Sequence, residues 1–160
     1  MIRINDLKNN NNFYIDEFNL KRITNSDIVK YKIIDIPLKK IKMYINNKFI
    51  PLEKTVAYDY LNNKKDNYDE YKNYCIKYGK NNPNRNVDSY NRLMNEFKEY
   101  DIKHGAIIID QHNILKDGQH RCCLLLKKYG KDYKIKVLKI YYYETKINKL
   151  KNIIKLIIMR

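Results

Sequence analysis

Residues 116–123 read Lys-Asp-Gly-Gln-His-Arg-Cys-Cys. Asp117-Gly118 is turn chemistry, because glycine adopts backbone angles that other residues resist. Cys122, Leu125, Leu126 and Tyr129 then fall at i, i+3, i+4 and i+7, which predicts a helix starting near Gln119 and stopping at Gly130. Its first turn carries two basic side chains, His120 and Arg121. An exposed cation at a helix N-terminus opposes the macrodipole, at a cost of ~0.3–1 kcal/mol. A bound phosphate reverses that sign. It accepts the first backbone N–H groups, which have no partner inside the helix, and it matches the planar fork of Arg121. The spacing therefore predicts a phosphate site over Asp117, Gly118, Gln119, His120 and Arg121. The simpler alternative is a helix start whose two basic side chains point into water. Asp117 reads as the cap of this helix, with Mg²⁺ ligation the alternative role.

Several elements must position that turn. A strand is expected at 106–110, a turn at Gln111-His112-Asn113, and a second short strand running into Asp117-Gly118. A β-prone run at 133–143 follows the helix. Upstream, residues 31–44 read as a strand ending near Pro37. Thr55 is a candidate N-cap for a short helix through Leu61. Tyr68, Tyr71, Cys75 and Tyr78 mark one face of a helix over 66–79, closed by Gly79. After a loop at 80–87, Asp88 is the expected cap of a helix over 88–100 with Tyr90, Leu93, Met94 and Phe97 inward. Residues 1–12 end in four asparagines and read as a loose leader, and residues 13–23 show no clean period. Residues 144–160 read as a basic amphipathic helix packed on its own domain. The expected fold class is α+β: an N-terminal arm over 1–30, one domain over 31–143 with a small mixed sheet and packed helices, and a C-terminal helix.

Bulk properties narrow the partners. A chain of 160 residues with 44% hydrophobic residues can build a core, which argues against disorder. A net charge of +15 suits nucleic acid, acidic surfaces or phosphorylated small molecules, although the lysines are spread along the whole chain. Three cysteines without CxxC spacing support neither a disulfide framework nor a zinc site, and they fit a reducing cytoplasm. The N-terminus shows no apolar secretory segment, and no apolar run reaches ~18 residues, so no membrane span is expected.

The segment Ile-Ile-Ile-Asp-Gln-His-Asn-Ile-Leu-Lys-Asp-Gly-Gln-His-Arg, continuing through the helix into the strand at 133–142, resembles the signature segment of the ParB/sulfiredoxin superfamily. The upstream Ile-Ile-Asp-Ile-Pro-Leu-Lys-Lys-Ile is similar to that family's first strand. The resemblance spans residues 31–142. It implies a ParB/sulfiredoxin-like domain in which Gly118 and Arg121 hold nucleotide phosphates. Sulfiredoxins place a nucleophilic cysteine directly after the glycine, where this chain has Gln119, so sulfinic-acid reduction is not expected. ParB partition proteins usually carry a second arginine at the position of His120, followed by a helix-turn-helix region for which residues 144–160 leave no room. The free-serine kinases resemble this chain in having a histidine before the phosphate-holding arginine. They also use an early glutamate as general base, and its counterpart here is Glu53. The resemblance thus implies an ATP- or other nucleotide-dependent phosphotransferase acting on a small hydroxylated molecule with Mg²⁺, with His120 and Glu53 in the chemistry. Glu53 also reads as a solvated acid at a helix start near Thr55. The competing expectations are a ParB-like DNA-binding protein or nuclease and a non-catalytic nucleotide sensor.

Overall fold

The computed structural model describes residues 7, 10–16, 20, 21, 23, 28–79 and 86–143. The expected C-terminal helix at 144–160, Arg85 and most of the loop at 80–87 lie outside the described residues.

Strand β1 (Ile28–Pro37) is rich in isoleucine and stops at a proline, which has no N–H to extend a ladder. It runs antiparallel to β6 (Lys134–Tyr142). Strand β4 (Ile108–Ile109) lies parallel to β6 on its other side and antiparallel to β5 (Leu115–Asp117). The sheet order is β1-β6-β4-β5. Helix α4 (Gln119–Tyr129) carries the chain from β5 to β6 and stops at Gly130.

Alternation along the strands gives the sheet two buried faces. Ile36, Ile107, Ile109, Leu115, Ile135 and Val137 pack on one side against Cys122, Leu125 and Leu126 of α4. Ile28, Ile108, Leu138 and Ile140 face the other side and meet Leu7, Phe13, Ile15, Leu20 and Ile23. Leu7 is buried to 1% exposure and Asn10 donates to the Tyr31 hydroxyl at 3.0 Å, so these two described residues are packed and not part of the loose leader the asparagines suggested. Among the described residues of this cover, Leu7, Leu20, Lys21 and Ile23 are helical and residues 10–16 form no helix or strand, so no single period runs through it.

A two-stranded hairpin, β2 (Lys42–Ile45) and β3 (Lys48–Pro51), was not expected as a separate unit. Its turn is Asn46-Asn47, with φ of 50° and 61°. Positive φ at both central residues is the type I′ geometry that asparagine tolerates and that suits a two-residue hairpin. Lys42 donates its backbone N–H to Asn113 O at 3.1 Å, tying the hairpin to the β4–β5 turn.

Three helices form a third layer. Helix α1 (Val56–Asn62) is capped by Thr55, whose hydroxyl accepts the Tyr58 N–H. Helix α2 (Tyr68–Gly79) buries Tyr71, Tyr74 and Cys75, whereas Tyr68 is exposed rather than inward. Helix α3 (Val87–Glu96) starts one residue before the expected point and ends earlier, at Glu96. Its cap is Asn86, whose Oδ1 accepts the Ser89 N–H at 2.7 Å, and not Asp88. Ala57, Tyr60, Tyr71 and Tyr90 close this layer onto Cys123 of α4. The fold is a small mixed α+β domain in which α4 lies between the sheet and the other helices.

Candidate functional site

The start of α4 is held in place by Gly118. Its backbone is left-handed, with φ 91° and ψ 23°. A Cβ there would stand 2.7 Å from Ile107 Cγ1 and 3.1 Å from Ile107 Cα. Conformation and close approach both demand glycine. As N-cap, Gly118 brings no side-chain acceptor to the helix start. The expected cap, Asp117, does something else: its Oδ2 accepts from Arg121 Nη2 at 3.0 Å. Expecting Asp117 to cap failed because that reading ignored the arginine one turn along.

Arg121 does not reach freely ahead of the helix. Its Nη2 also donates to Ala106 O at 3.2 Å. The guanidinium lies across Gly105, where a Cβ would overlap Nη1. The pair is mostly sheltered, at 23% exposure for Arg121 and 21% for Asp117. A guanidinium has five N–H donors. Those on Nη1 and Nε find no hydrogen-bond acceptor among the described residues. The arginine is fixed in place with donors left to give.

His120 sits in an aromatic setting that composition alone did not reveal. Its Nε2 lies 2.6 Å from the Tyr71 hydroxyl. Tyr90 stacks on the imidazole, with ring centres 4.1 Å apart and planes 17° from parallel. Tyr60 stacks on Tyr71 in turn, at 4.5 Å. Tyr90 donates to Ala57 O at 3.3 Å, and burial pushes its phenol pKa far up, so it stays protonated. The tyrosines at 71 and 90 were legible as inward-facing from their helical spacing, whereas Tyr74, also buried, was not placed on that face. Nothing in that spacing said that they would meet the turn at Gly118.

Gln119 opens the helix and is only 6% exposed. Its Oε1 accepts from Tyr74 at 3.0 Å. Its Nε2 is buried without a hydrogen-bond partner, the one such side-chain atom among the described residues. An unsatisfied buried donor costs about 1–3 kcal/mol, and a bound water or ion is one way in which folded proteins satisfy such a group.

Glu53 sits in the single 3-10 turn Leu52–Lys54 before α1. Leu52 anchors this turn in the core. Next in the chain, the Thr55 hydroxyl donates to Leu52 O at 2.7 Å and lies 3.8 Å from Cys123 Sγ. The turn is therefore seated on α4. The Glu53 side chain itself is exposed, and no hydrogen bond or ion pair joins it to residues 117–121. The structure thus gathers Asp117, Gly118, Gln119, His120 and Arg121 at one helix start and leaves Glu53 apart from them on a neighbouring turn.

Cys122 and Cys123 are both fully buried. Burial drives the Cys122 thiol well above its ordinary range. It pushes Cys123 up to about 12, against partly compensating hydrogen bonds with Thr55 and Tyr90. A neutral, enclosed thiol is a poor nucleophile, so neither cysteine offers thiol chemistry at the turn. Among the described residues, no group of three or more His, Cys, Asp or Glu side chains gathers to form a metal site, and no described helix is long and apolar enough to cross a membrane. No protein-family model, curated protein or solved structure matches this chain.

Proposed function

We propose that the protein binds a nucleotide at the Asp117–Arg121 turn and transfers its terminal phosphoryl group to a small hydroxylated molecule. The observation that carries this reading is the start of α4: a glycine cap without a side-chain acceptor, next to a buried glutamine amide with no partner. Phosphate oxygens complement both deficits, since they accept from helix N-termini and from amide donors. Arg121, held by Asp117 and Ala106 O, has further N–H donors for the same anion. The resemblance of residues 31–142 to the ParB/sulfiredoxin superfamily, and to its free-serine-kinase branch in His120 and Arg121, points the same way.

In this reading Arg121 and the first N–H groups of α4 stabilise charge on the transferring phosphoryl group, where such transfer gains most from fixed donors. Tyr71 and Tyr90 keep the His120 ring in one orientation beside it. Glu53 takes the proton of the acceptor hydroxyl as its oxygen bonds to phosphorus and the bond to the nucleoside diphosphate breaks. The exposure of Glu53 leaves it accessible to an incoming acceptor. Asp117 already carries Arg121, so Mg²⁺ would be held chiefly by the nucleotide's own phosphates.

The test is thermal stability against ATP, ADP, CTP and GTP, with and without Mg²⁺. A nucleotide at 100 times its Kd adds about 2.7 kcal/mol to the folded state, a clear rise in midpoint. Gln119→Leu is expected to melt within a few degrees of the wild type without ligand and to lose most of that rise. Glu53→Gln should keep the rise and abolish transfer to a hydroxylated acceptor. A chain that no nucleotide stabilises would overturn the reading.

A further inference from the structure

The face of the sheet that lies under α4 changes character along its length. Ile36 stands opposite Ile135 and Ile34 opposite Val137, in the core. Further along the same two strands, Lys32 stands opposite Lys139 and Lys30 opposite Tyr141. Residues two apart on a strand share a face, so the apolar stripe runs directly into a basic one. Like charges placed directly opposite each other in an antiparallel pair repel. The amines of Lys30 and Lys139 stand 6.0 Å and 5.8 Å from the centre of the Tyr141 ring. Lys30 and Lys32 are exposed, and Lys139 and Tyr141 are partly so.

The local acid does not neutralise this cluster. Asp110 is buried and accepts the N–H groups of His112 and Ile114 at 2.8 Å and 3.0 Å. Its carboxylate also holds Lys116 at 3.0 Å. Lys139 donates to the neutral Asn113 Oδ1 at 2.7 Å. Partial burial lowers the Lys139 pKa, with Asp110 opposing that shift. Lys30 and Lys32 have no acidic partner among the described residues.

We propose that this end of the sheet binds single-stranded nucleic acid, with a base on the Tyr141 ring and flanking phosphates on Lys30, Lys32 and Lys139. An aromatic platform bordered by cations is how sequence-tolerant strand binders work, because every base has a stacking face and every link a negative charge. Lys30 and Lys32 are two residues apart, about 7 Å along a strand, and an extended polynucleotide can follow that step. The aromatic group is a partly buried ring set among amines, not a protruding apolar wedge, which favours a stacked base over insertion into a lipid surface. Among the described residues β1 is the outer strand of this sheet, so an incoming strand can approach over its edge. The cluster adjoins the Gln111–Asn113 turn, at the opposite end of the β4–β5 pair from Gly118. It is a second site, independent of the nucleotide reading.

The experiment is fluorescence anisotropy of a fluorescein-labelled oligothymidylate titrated with the full chain across a sodium chloride series. Tyr141→Leu is expected to weaken binding about tenfold or more at fixed salt. Lys30→Gln with Lys32→Gln should flatten the slope of log Kd against log salt by about 1.4, the release of two single-strand phosphate contacts. Lys64→Gln with Lys65→Gln removes the same charge from an exposed turn elsewhere and should leave that slope unchanged. The Lys30/Lys32 pair variant should fold at least as well as the wild type, since it relieves the Lys32–Lys139 repulsion, and thermal midpoints check this. Equal losses from the two lysine pairs would show that binding follows net charge alone and would overturn the proposal. So would wild-type affinity in Tyr141→Leu, or variants that lose binding to phosphatidylserine vesicles but keep it to the oligonucleotide.

Discussion

Gly118 and Gly105 restrict the same corner in different ways, and their replacement should separate fold from function. Alanine at Gly118 meets both a left-handed backbone and the Ile107 side chain at 2.7 Å. Strain and overpacking together should cost about 3 kcal/mol, read as a lower urea midpoint. Alanine at Gly105 meets only the end of the Arg121 side chain, which can swing away. Gly105→Ala should therefore cost less than about 1 kcal/mol of stability while breaking the Arg121 bond to Ala106 O and reducing any nucleotide-induced rise in melting temperature. The position of Gln119, His120 and Arg121 at a helix start was legible, because Gly118 and the apolar periodicity after it fix where the helix begins. The Asp117–Arg121 pair, the need for a bare backbone at Gly105 and the unpaired Gln119 amide were not. Each depends on which atoms meet across elements, and spacing within one element does not specify that.

At the scale of elements, helix caps give the clearest expected outcomes. Thr55 both accepts the Tyr58 N–H and donates to Leu52 O. Thr55→Val should lose about 1–2 kcal/mol in urea unfolding, and it should loosen the turn that carries Glu53. For α3, Asn86→Ala should cost about 1 kcal/mol, whereas Asp88→Asn should change the urea midpoint little. The reverse order would restore Asp88 as the cap. Helix α1, the end of β1 at Pro37, and the strand–turn–helix–strand run through α4 could be read from local signals alone: a threonine, a proline, two glycines and clear periodicities. The hairpin at Asn46-Asn47 was missed because its strands are short and its turn lacks the glycine that usually announces one. Asp88 was preferred to Asn86 because an acid before an apolar stripe is the commoner signal, although asparagine caps as well.

Across the whole molecule, α4 is the common wall of two hydrophobic clusters, with Cys122 facing the sheet and Cys123 facing the helices. Both thiols have raised pKa values, Cys123 to about 12. Tyr100 is also pushed up to about 12, chiefly by burial, while its hydroxyl bridges Ile107 N and Lys136 O. The folded state keeps these protons and the unfolded chain releases them, so stability is fully present below the unfolded values and falls as pH rises toward the folded ones. Between about pH 9 and 12 each fully buried thiol should remove up to about 1.4 kcal/mol per pH unit. A urea midpoint that falls with pH in that window, and falls less in Cys123→Ala, is the expected result. At this scale the α+β class was legible from the order of elements. The β1-β6-β4-β5 order was not, because β1 and β6 pair across most of the chain. The N-terminal cover was not legible either: Leu7 and Leu20 are helical while Phe13 and Ile15 belong to no helix or strand, and spacing within the chain does not show that all four meet one face of the sheet. The aromatic setting of His120 carries one further consequence. The chain has 16 tyrosines, four phenylalanines and no tryptophan, so its intrinsic ultraviolet emission comes chiefly from phenols. Tyr71 and Tyr90 touch the imidazole beside the Gly118 turn. An occupant that shifts that ring alters the light these phenols return, which gives the protein a built-in, label-free optical reporter of its own candidate site.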